Sequence, residues 1–197
     1  MKLLLVSWGI GALPGFLPSG SRIGYINEAV RLEGEADWIN AESRRLSDLG
    51  YEVVHVSLEN LATELEDMDA VYVCGGNTFV LLDGLKRTRA DQILIERVRA
   101  GLPYIGLSAG AAICGSPIEP IRLMDDAGAA PELASTDALG FVPQVIVPHA
   151  DGGFGPYDVA LNERINAEYG GQFTLRNLGN CQALLVTDEG VQLIKSP

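Results

Sequence analysis

The sequence predicts an α/β protein built on a doubly wound, mostly parallel sheet with helices on both faces. Short apolar segments alternate with segments of helical spacing from the N-terminus as far as Ser108, which is the pattern of a parallel sheet. Two of the apolar segments end in glycine-rich turns that open helices. The 197 residues suffice for one substantial core and are few for two, so we expect a single domain over residues 1–197.

The alternating segments give the order of the elements. Runs of β-branched and other apolar residues predict strands over 2–7, 22–27, 51–58, 71–74 and 102–107. Helical spacing of apolar residues predicts helices over 38–49 and 91–100. A short acidic helix is expected over 61–68, and a further helix over 78–85 after the turn at Gly75 and Gly76. Beyond Ser108 the sequence predicts a loop over 121–131, a strand over 141–148, a helix over 157–169 and a hairpin of 183–186 with 191–194.

The charge of the chain argues against two classes of partner. Acidic residues outnumber basic ones 26 to 14, which gives a formal net charge of −12. Nucleic acids and anionic membranes bind clusters of Lys and Arg, so we expect neither as a partner. No apolar run approaches the length of a bilayer span.

The three cysteines predict neither a metal site nor a disulfide framework. Cys74, Cys114 and Cys181 lie in or beside apolar runs without the spacing of metal ligands, so we expect reduced thiols, no metal and no cofactor. The apolar run at the N-terminus breaks at Ser7, with no further apolar region or cleavage site behind it. This predicts a first strand in a cytoplasmic protein rather than a secretion signal.

One serine lies at the sharpest of the predicted turns. The segment Gly106-Leu-Ser108-Ala-Gly110 follows an apolar strand and precedes small, helix-compatible residues. This is the G-x-S-x-G pattern of a nucleophile elbow, in which a strained backbone exposes the serine hydroxyl and the glycines avoid collisions with neighbouring backbone. The alternative is that Ser108 only caps the helix in a tightly packed turn.

A second turn of the same kind favours the functional interpretation. The strand ending at Cys74 is followed by Gly75-Gly76-Asn77-Thr78-Phe79 and a leucine pair, and Val147-Pro148-His149 follows later in the chain. Together with the serine elbow, these segments resemble the peptidase E (aspartyl dipeptidase) family of serine peptidases. The resemblance implies a glutamine amidotransferase-like sheet, a homodimer and hydrolysis of small peptides, with dipeptides of the form Asp-X as the family's substrates.

Of the two histidines, His149 is the predicted general base. A serine needs a base to take its proton as it attacks. His55 lies inside a β-branched strand well before the elbow, whereas His149 ends a predicted strand and precedes the glycine-rich loop Asp151-Gly-Gly-Phe-Gly155, which is suited to border a cleft.

The residue that orients His149 has several candidates among the carboxylates. The base needs an acceptor on its second ring nitrogen. The family resemblance places the third member of the triad at Asp188, which we rank first. It also links Asp126 or Asp125, after the elbow, to catalysis, while Asp151 resembles the His-x-Glu arrangement of glutamine amidotransferases.

The remaining site residues concern the substrate. The main-chain N–H groups of Gly76 and Ala109 are the predicted oxyanion hole, because both follow strand ends at the same edge of the sheet. Asn77 and Arg164 are the predicted substrate contacts; Arg164 is the cation in the helix after His149. A basic position of the aspartate-specific enzymes aligns with Leu161, which weakens the prediction of Asp-X specificity.

Two alternative functions follow from the same residues. One is a related amide hydrolase that resembles the cyanophycinases, which cleave β-linked aspartyl-arginine. The other is a member of the family with little or no peptidase turnover, in which the scaffold serves binding or regulation.

Overall fold

A seven-stranded sheet forms the centre of the computed structural model, which describes residues 1–33 and 37–197. The strands of the described residues are β1 (Leu3–Val6), β2 (Arg22–Ile26), β3 (Glu52–His55), β4 (Ala70–Val73), β5 (Tyr104–Leu107), β6 (Val145–Val147), β7 (Leu175–Asn177), β8 (Gln182–Thr187) and β9 (Gly190–Lys195). The helices are α1 (Leu13–Phe16), α2 (Asp37–Asp48), α3 (Leu61–Glu64), α4 (Thr78–Thr88), α5 (Ala90–Arg99), α6 (Ala109–Ala112) and α7 (Val159–Tyr169).

The central sheet has the strand order β3-β2-β4-β5-β1-β8-β9. The first five strands in this order are parallel, and β8 and β9 add an antiparallel hairpin next to β1. Every residue of β1, β4 and β5 is buried, as expected for parallel strands covered on both faces. The predicted α/β fold with a mostly parallel sheet is therefore confirmed.

The strand expected over 141–148 differs from the prediction. Only β6 is extended, and it pairs in parallel with β7 in a separate two-stranded sheet. The preceding N–H groups of Phe141 and Val142 both donate to the carbonyl of Cys114, and Pro143 has no N–H to donate to a ladder. As a result, His149 follows a strand that lies outside the central sheet.

None of the helices in the described residues has both the length and the hydropathy needed to cross a membrane.

The two glycine-rich turns lie side by side because their strands are neighbours. Val73 at the end of β4 pairs with Gly106 of β5, so the segment after each strand emerges at the same edge of the sheet. A Cβ on Gly110 would collide with the main-chain carbonyl of Val73, and a Cβ on Gly106 would collide with that of Gly110. The pattern of glycines around the serine is thus explained by backbone packing.

We expect Gly110→Ala to destabilise the protein by about 1–3 kcal/mol, although alanine is the better helix former, because the added methyl group meets backbone that cannot move aside. For a chain of this size each kcal/mol lowers Tm by about 2–4 °C. The matched control is Gly171→Ala, since a Cβ there meets no atom within 4 Å. Thermal unfolding measures both, and equal Tm values for the two variants would contradict the prediction.

Candidate active site

Ser108 has the backbone strain of a nucleophile elbow. It lies between β5 and α6 with φ 49° and ψ −105°, a conformation that residues other than glycine rarely adopt. Its N–H donates to the carbonyl of Val6 at 3.0 Å, and its own carbonyl accepts from Ala111 and Ala112. The surrounding chain therefore fixes the strained residue from both sides, which is the condition for such strain to persist at a functional site.

His149 lies directly beside the serine. Its Nε2 is 2.9 Å from the Ser108 Oγ, and the residue is only 2% exposed. Like Ser108 it has a positive φ, 57°. Its ring stacks almost in parallel on Phe154 and Tyr157, with centroid distances of 4.4 and 5.0 Å. The structure thus brings together the predicted nucleophile and the predicted base at hydrogen-bond distance.

The second ring nitrogen of His149 faces an amide rather than a carboxylate. The Nδ1 is 2.8 Å from the Oδ1 of Asn180. The Asn180 Nδ2 donates to the Gly152 carbonyl at 2.7 Å, so the amide oxygen is the atom that faces the ring. An oxygen acceptor at Nδ1 favours the tautomer with hydrogen on Nδ1, which leaves Nε2 free to accept the serine proton.

Burial keeps His149 in the neutral state that a base requires. Desolvation lowers the pKa of its imidazole, and this effect outweighs the hydrogen bond to Asn180 and the charge of Asp151, which both act to raise it. The neutral ring therefore persists to pH values below the ordinary range of histidine.

The C-terminal end of β1 holds the segments of all three residues. The Val6 carbonyl accepts from the Ser108 N–H, and the Ser7 hydroxyl accepts from the His149 N–H at 2.8 Å. The Gly9 N–H donates to the Asn180 carbonyl at 2.9 Å. Three distant segments are thus aligned on one short stretch of backbone.

The prediction that Asp188 orients His149 is wrong in this structure. Asp188 lies in the β8–β9 turn, its side chain is 92% exposed, and it pairs with the N-terminal ammonium of Met1 at 2.8 Å. This hydrogen bond, and then the ammonium charge, lower the pKa of its carboxyl group. The hairpin directs the turn away from the serine elbow, because β8 runs antiparallel to β1 and therefore carries its C-terminal end to the opposite edge of the sheet.

The alternative carboxylates have no hydrogen bond to the His149 ring either, whose two nitrogens face Ser108 and Asn180. Asp126 caps a short 3₁₀ turn through the Gly128 N–H. Asp125 accepts hydrogen bonds from Thr78 and Tyr157. Burial raises the pKa of the Asp125 carboxyl, and the bonds from Thr78 oppose this effect.

Asp151 acts on the site indirectly, through Asn180. Its Oδ1 accepts the main-chain N–H of Asn180 at 2.8 Å, and its charge helps to raise the pKa of His149. It therefore positions the residue that orients the base. Among the carboxylates proposed for the triad, Asp151 is the one with a direct link to Asn180.

The two predicted oxyanion donors follow adjacent strand ends. Ala109 is the first residue of α6, where a helix leaves its N–H without an intrahelical partner. Gly76 has φ 134°, and a Cβ there would approach the Ala29 carbonyl to 2.6 Å, so this position requires glycine. A Cβ on Gly75 would lie 3.2 Å from that of Ser108, which shows how closely the two turns approach.

Asn77 borders the cavity but has structural contacts of its own. Its Oδ1 caps α4 through the N–H groups of Phe79 and Val80, and its Nδ2 donates to the Asp126 carbonyl at 2.9 Å. Asn77 thereby joins the first glycine turn to the loop that carries the two aspartates. A contact with substrate stays a prediction.

A cavity of about 460 Å³ opens in front of Ser108. This volume is within the range of small-molecule sites, about 300–1,000 Å³. The lining includes three aromatic side chains and four carboxylates, in addition to the two turns: Trp8, Phe154, Tyr157, Glu33, Glu42, Asp125 and Asp126.

The prediction for Arg164 is not supported by its position. Arg164 is exposed on α7 and lines a neighbouring depression together with Leu161, whereas the residues lining the Ser108 cavity do not include it. The two hollows share walls at Met124, Pro156 and Tyr157.

Comparison with known proteins assigns the chain to a family. The model of peptidase family S51 matches residues 11–194. The chain belongs to peptidase family S51. Family S51 comprises serine peptidases, so the protein is a serine peptidase, and the resemblance predicted from the two turns is confirmed.

Relatives and a solved structure of family S51 agree with this assignment. An uncharacterized peptidase of Listeria innocua, Lin0382, is 36% identical over 177 residues, which cover 87% of this chain and 83% of the relative. Peptidase E of Streptomyces coelicolor is 38% identical over 71% of this chain and 56% of its own length. A crystal structure of a peptidase E candidate from Listeria monocytogenes superimposes with a TM-score of 0.89 at 30% identity, over 98% of both chains.

Asn180 is the residue that sequence reasoning missed. It lies in the short turn Leu178-Gly-Asn-Cys181 that precedes β8, and Gly179 there is so close to Asp151 that a Cβ would lie 2.7 Å from its carboxylate. The signal that could have found Asn180 is its position in the sequence, because its turn directly precedes β8, and β8 pairs with β1. A search restricted to carboxylates overlooks an amide.

Proposed function

We propose that the protein hydrolyses short peptides by nucleophilic catalysis at Ser108. His149 accepts the proton of the serine hydroxyl as the serine attacks the scissile carbonyl, and then donates it to the leaving amine. Water, deprotonated by the same histidine, then attacks the acyl-enzyme, which releases the acid product and restores the Ser108 hydroxyl. Asn180 holds the imidazole in the required tautomer. The N–H groups of Gly76 and Ala109 stabilise the oxyanion of the tetrahedral intermediate.

One observation carries this proposal. A serine in strained backbone geometry has its Oγ 2.9 Å from the Nε2 of a buried histidine, whose Nδ1 is held by a fixed oxygen. This is the arrangement of a nucleophile, a base and an orienting group, and it opens onto a cavity of sufficient size for a small substrate. A serine that merely capped a helix would not need the strain or the histidine.

The amide in place of a carboxylate has a chemical consequence. A carboxylate would stabilise the imidazolium that forms during proton transfer by its full charge, whereas Asn180 offers only a dipole. The proposed triad therefore fixes the tautomer of His149 but stabilises its protonated form less. Modest turnover is expected relative to enzymes whose orienting residue is ionised.

Labelling with a fluorophosphonate tests the proposal. An activated serine forms a covalent phosphonate ester, and mass spectrometry of the digested protein should place the adduct on Ser108. The matched control is Ser135→Ala, which removes an exposed hydroxyl far along the chain and should leave the labelling unchanged. Absence of the adduct from Ser108, or labelling that survives Ser108→Ala, would contradict the proposed nucleophile.

The proposed chemistry does not depend on the oligomeric state of the protein or on its location. The homodimer implied by the family resemblance, the cytoplasmic location and the lack of nucleic-acid partners stay predictions. Asp-X specificity gains no support from the cavity, because the substrate's aspartate would face carboxylates there.

A further inference from the structure

The cavity in front of Ser108 is negatively charged. Four carboxylates line it, and none of its described lining residues is Lys or Arg. The position of a ligand here is defined by the serine, the histidine and the cavity, and the carboxylates determine which charge that ligand can carry.

Asp125 and Asp126 lie next to the proposed oxyanion hole. The Oδ2 of Asp125 accepts both the N–H and the O–H of Thr78, at 2.8 and 2.6 Å, and Thr78 is two residues beyond Gly76. The main-chain carbonyl of Asp126 accepts a hydrogen bond from the Nδ2 of Asn77, which lies between Gly76 and Thr78 in the sequence. These bonds fix both aspartates close to the point where the scissile carbonyl is polarised.

Two other lining residues, Glu42 and Trp8, contact the guanidinium of Arg45, which does not itself line the cavity. The buried Glu42 accepts a hydrogen bond from Arg45 at 2.9 Å, and the Arg45 guanidinium lies 5.0 Å from the centre of the Trp8 ring. The wall thus combines a carboxylate with an aromatic face, which is the combination that binds cations.

From these contacts we infer that the peptidase prefers short peptides that carry a positive charge beside the scissile bond, such as arginyl dipeptides, and discriminates against acidic ones. This inference rests on the proposed function, because it concerns the substrate that Ser108 attacks. Arg45 compensates Glu42, and burial raises the pKa of Asp125, so the attraction comes mainly from Glu33 and Asp126. An acidic side chain would be repelled by the same groups, since like charges brought together in an enclosed site are unfavourable.

Two matched series of dipeptides test the inference. The first is Arg-Ala, citrulline-Ala and Glu-Ala, and the second has the same residues in the other order. Citrulline has the shape of arginine without its charge, so the comparison isolates electrostatics from packing. We expect kcat/KM to fall from arginine to citrulline to glutamate in at least one series, with about tenfold or more between arginine and glutamate. Added salt should reduce the ratio of arginine to citrulline.

A charge-neutralising variant links the preference to the cavity. Asp126→Asn keeps the hydrogen-bond acceptor for Gly128 and removes the charge, and it should lower the ratio of arginine to citrulline about two- to fivefold. The control Asp188→Asn removes the same charge from the surface and should leave the ratio unchanged. This control separates the charge of the cavity from the overall charge of −12.

The outcomes separate this inference from the proposed function. If Ser108 is labelled by a fluorophosphonate and both series show glutamate equal to or better than arginine, the inference is overturned while the proposed function stands. Calorimetric titration of Ser108→Ala with Arg-Ala, citrulline-Ala and Glu-Ala measures the preference without turnover. Tighter binding of Arg-Ala supports the inference even if hydrolysis is slow, and equal or weaker binding than Glu-Ala overturns it.

Discussion

Replacing Ser108 with alanine is expected to lower kcat for peptide hydrolysis by a factor on the order of 10⁴–10⁶. The substitution removes the atom that attacks the carbonyl, so the residual rate comes only from substrate binding and the oxyanion donors. Alanine keeps the Cβ and can occupy the same backbone conformation, so the fold should persist. Peptide hydrolysis measured together with thermal unfolding tests this prediction.

The double variant Ser108→Ala/His149→Ala provides the control for a shared mechanism. Members of one catalytic unit have effects that do not add, so the double variant should be no slower than the slower single variant. Activity of Ser108→Ala at more than a few per cent of the wild type, with an unchanged Tm, would rule out Ser108 as the nucleophile.

The second large effect is expected at Asn180. Asn180→Ala removes the acceptor for the His149 Nδ1–H and the donor to the Gly152 carbonyl. The imidazole then loses its fixed tautomer, and kcat should fall by about 10²–10⁴, by analogy with the loss of tautomer control in other triads. Steady-state kinetics measures the loss. The matched control is Asp188→Asn, which lies in the following hairpin and should retain full activity.

Asn180→Asp distinguishes orientation from simple damage to the loop. Aspartate keeps an oxygen toward Nδ1, loses the donor to the Gly152 carbonyl as Asn180→Ala does, and adds a negative charge, which raises the pKa of His149. Since the neutral imidazole is the base, activity should then be lost at a higher pH on the acid side of the kcat/KM profile than in the wild type. If Asp188→Asn were as harmful as Asn180→Ala, the assignment of the orienting residue to Asn180 would be contradicted.

The sequence predicted those parts of the site that depend on local backbone. Ser108 and the turn at Gly75 and Gly76 were predictable because both follow buried strands and because their glycines are required by contacts with adjacent backbone. His149 was predictable by elimination, since the alternative histidine lies in β3. The pairing of β4 with β5 then brings the two turns together.

The orienting residue was not predictable, because it depends on how distant segments meet. The direction of the β8–β9 hairpin decides that Asp188 is far from His149, and this direction is not encoded in the turn itself. Asn180 reaches the ring because its own backbone is held by Asp151 and Gly9. Such a set of tertiary hydrogen bonds leaves no periodic signal in the sequence.

The alignment of three segments on the end of β1 determines when the active site is assembled during synthesis and folding. The contact between Ser7 and His149 joins residues 142 positions apart, and contacts of such long range form late in folding because loop closure precedes any gain from them. During synthesis, β1 and the serine elbow are made before the segment that contains Asn180. A chain made only as far as His149 therefore lacks the residue that orients the base, and we expect hydrolytic activity only after the segment that contains Asn180 has closed onto β1.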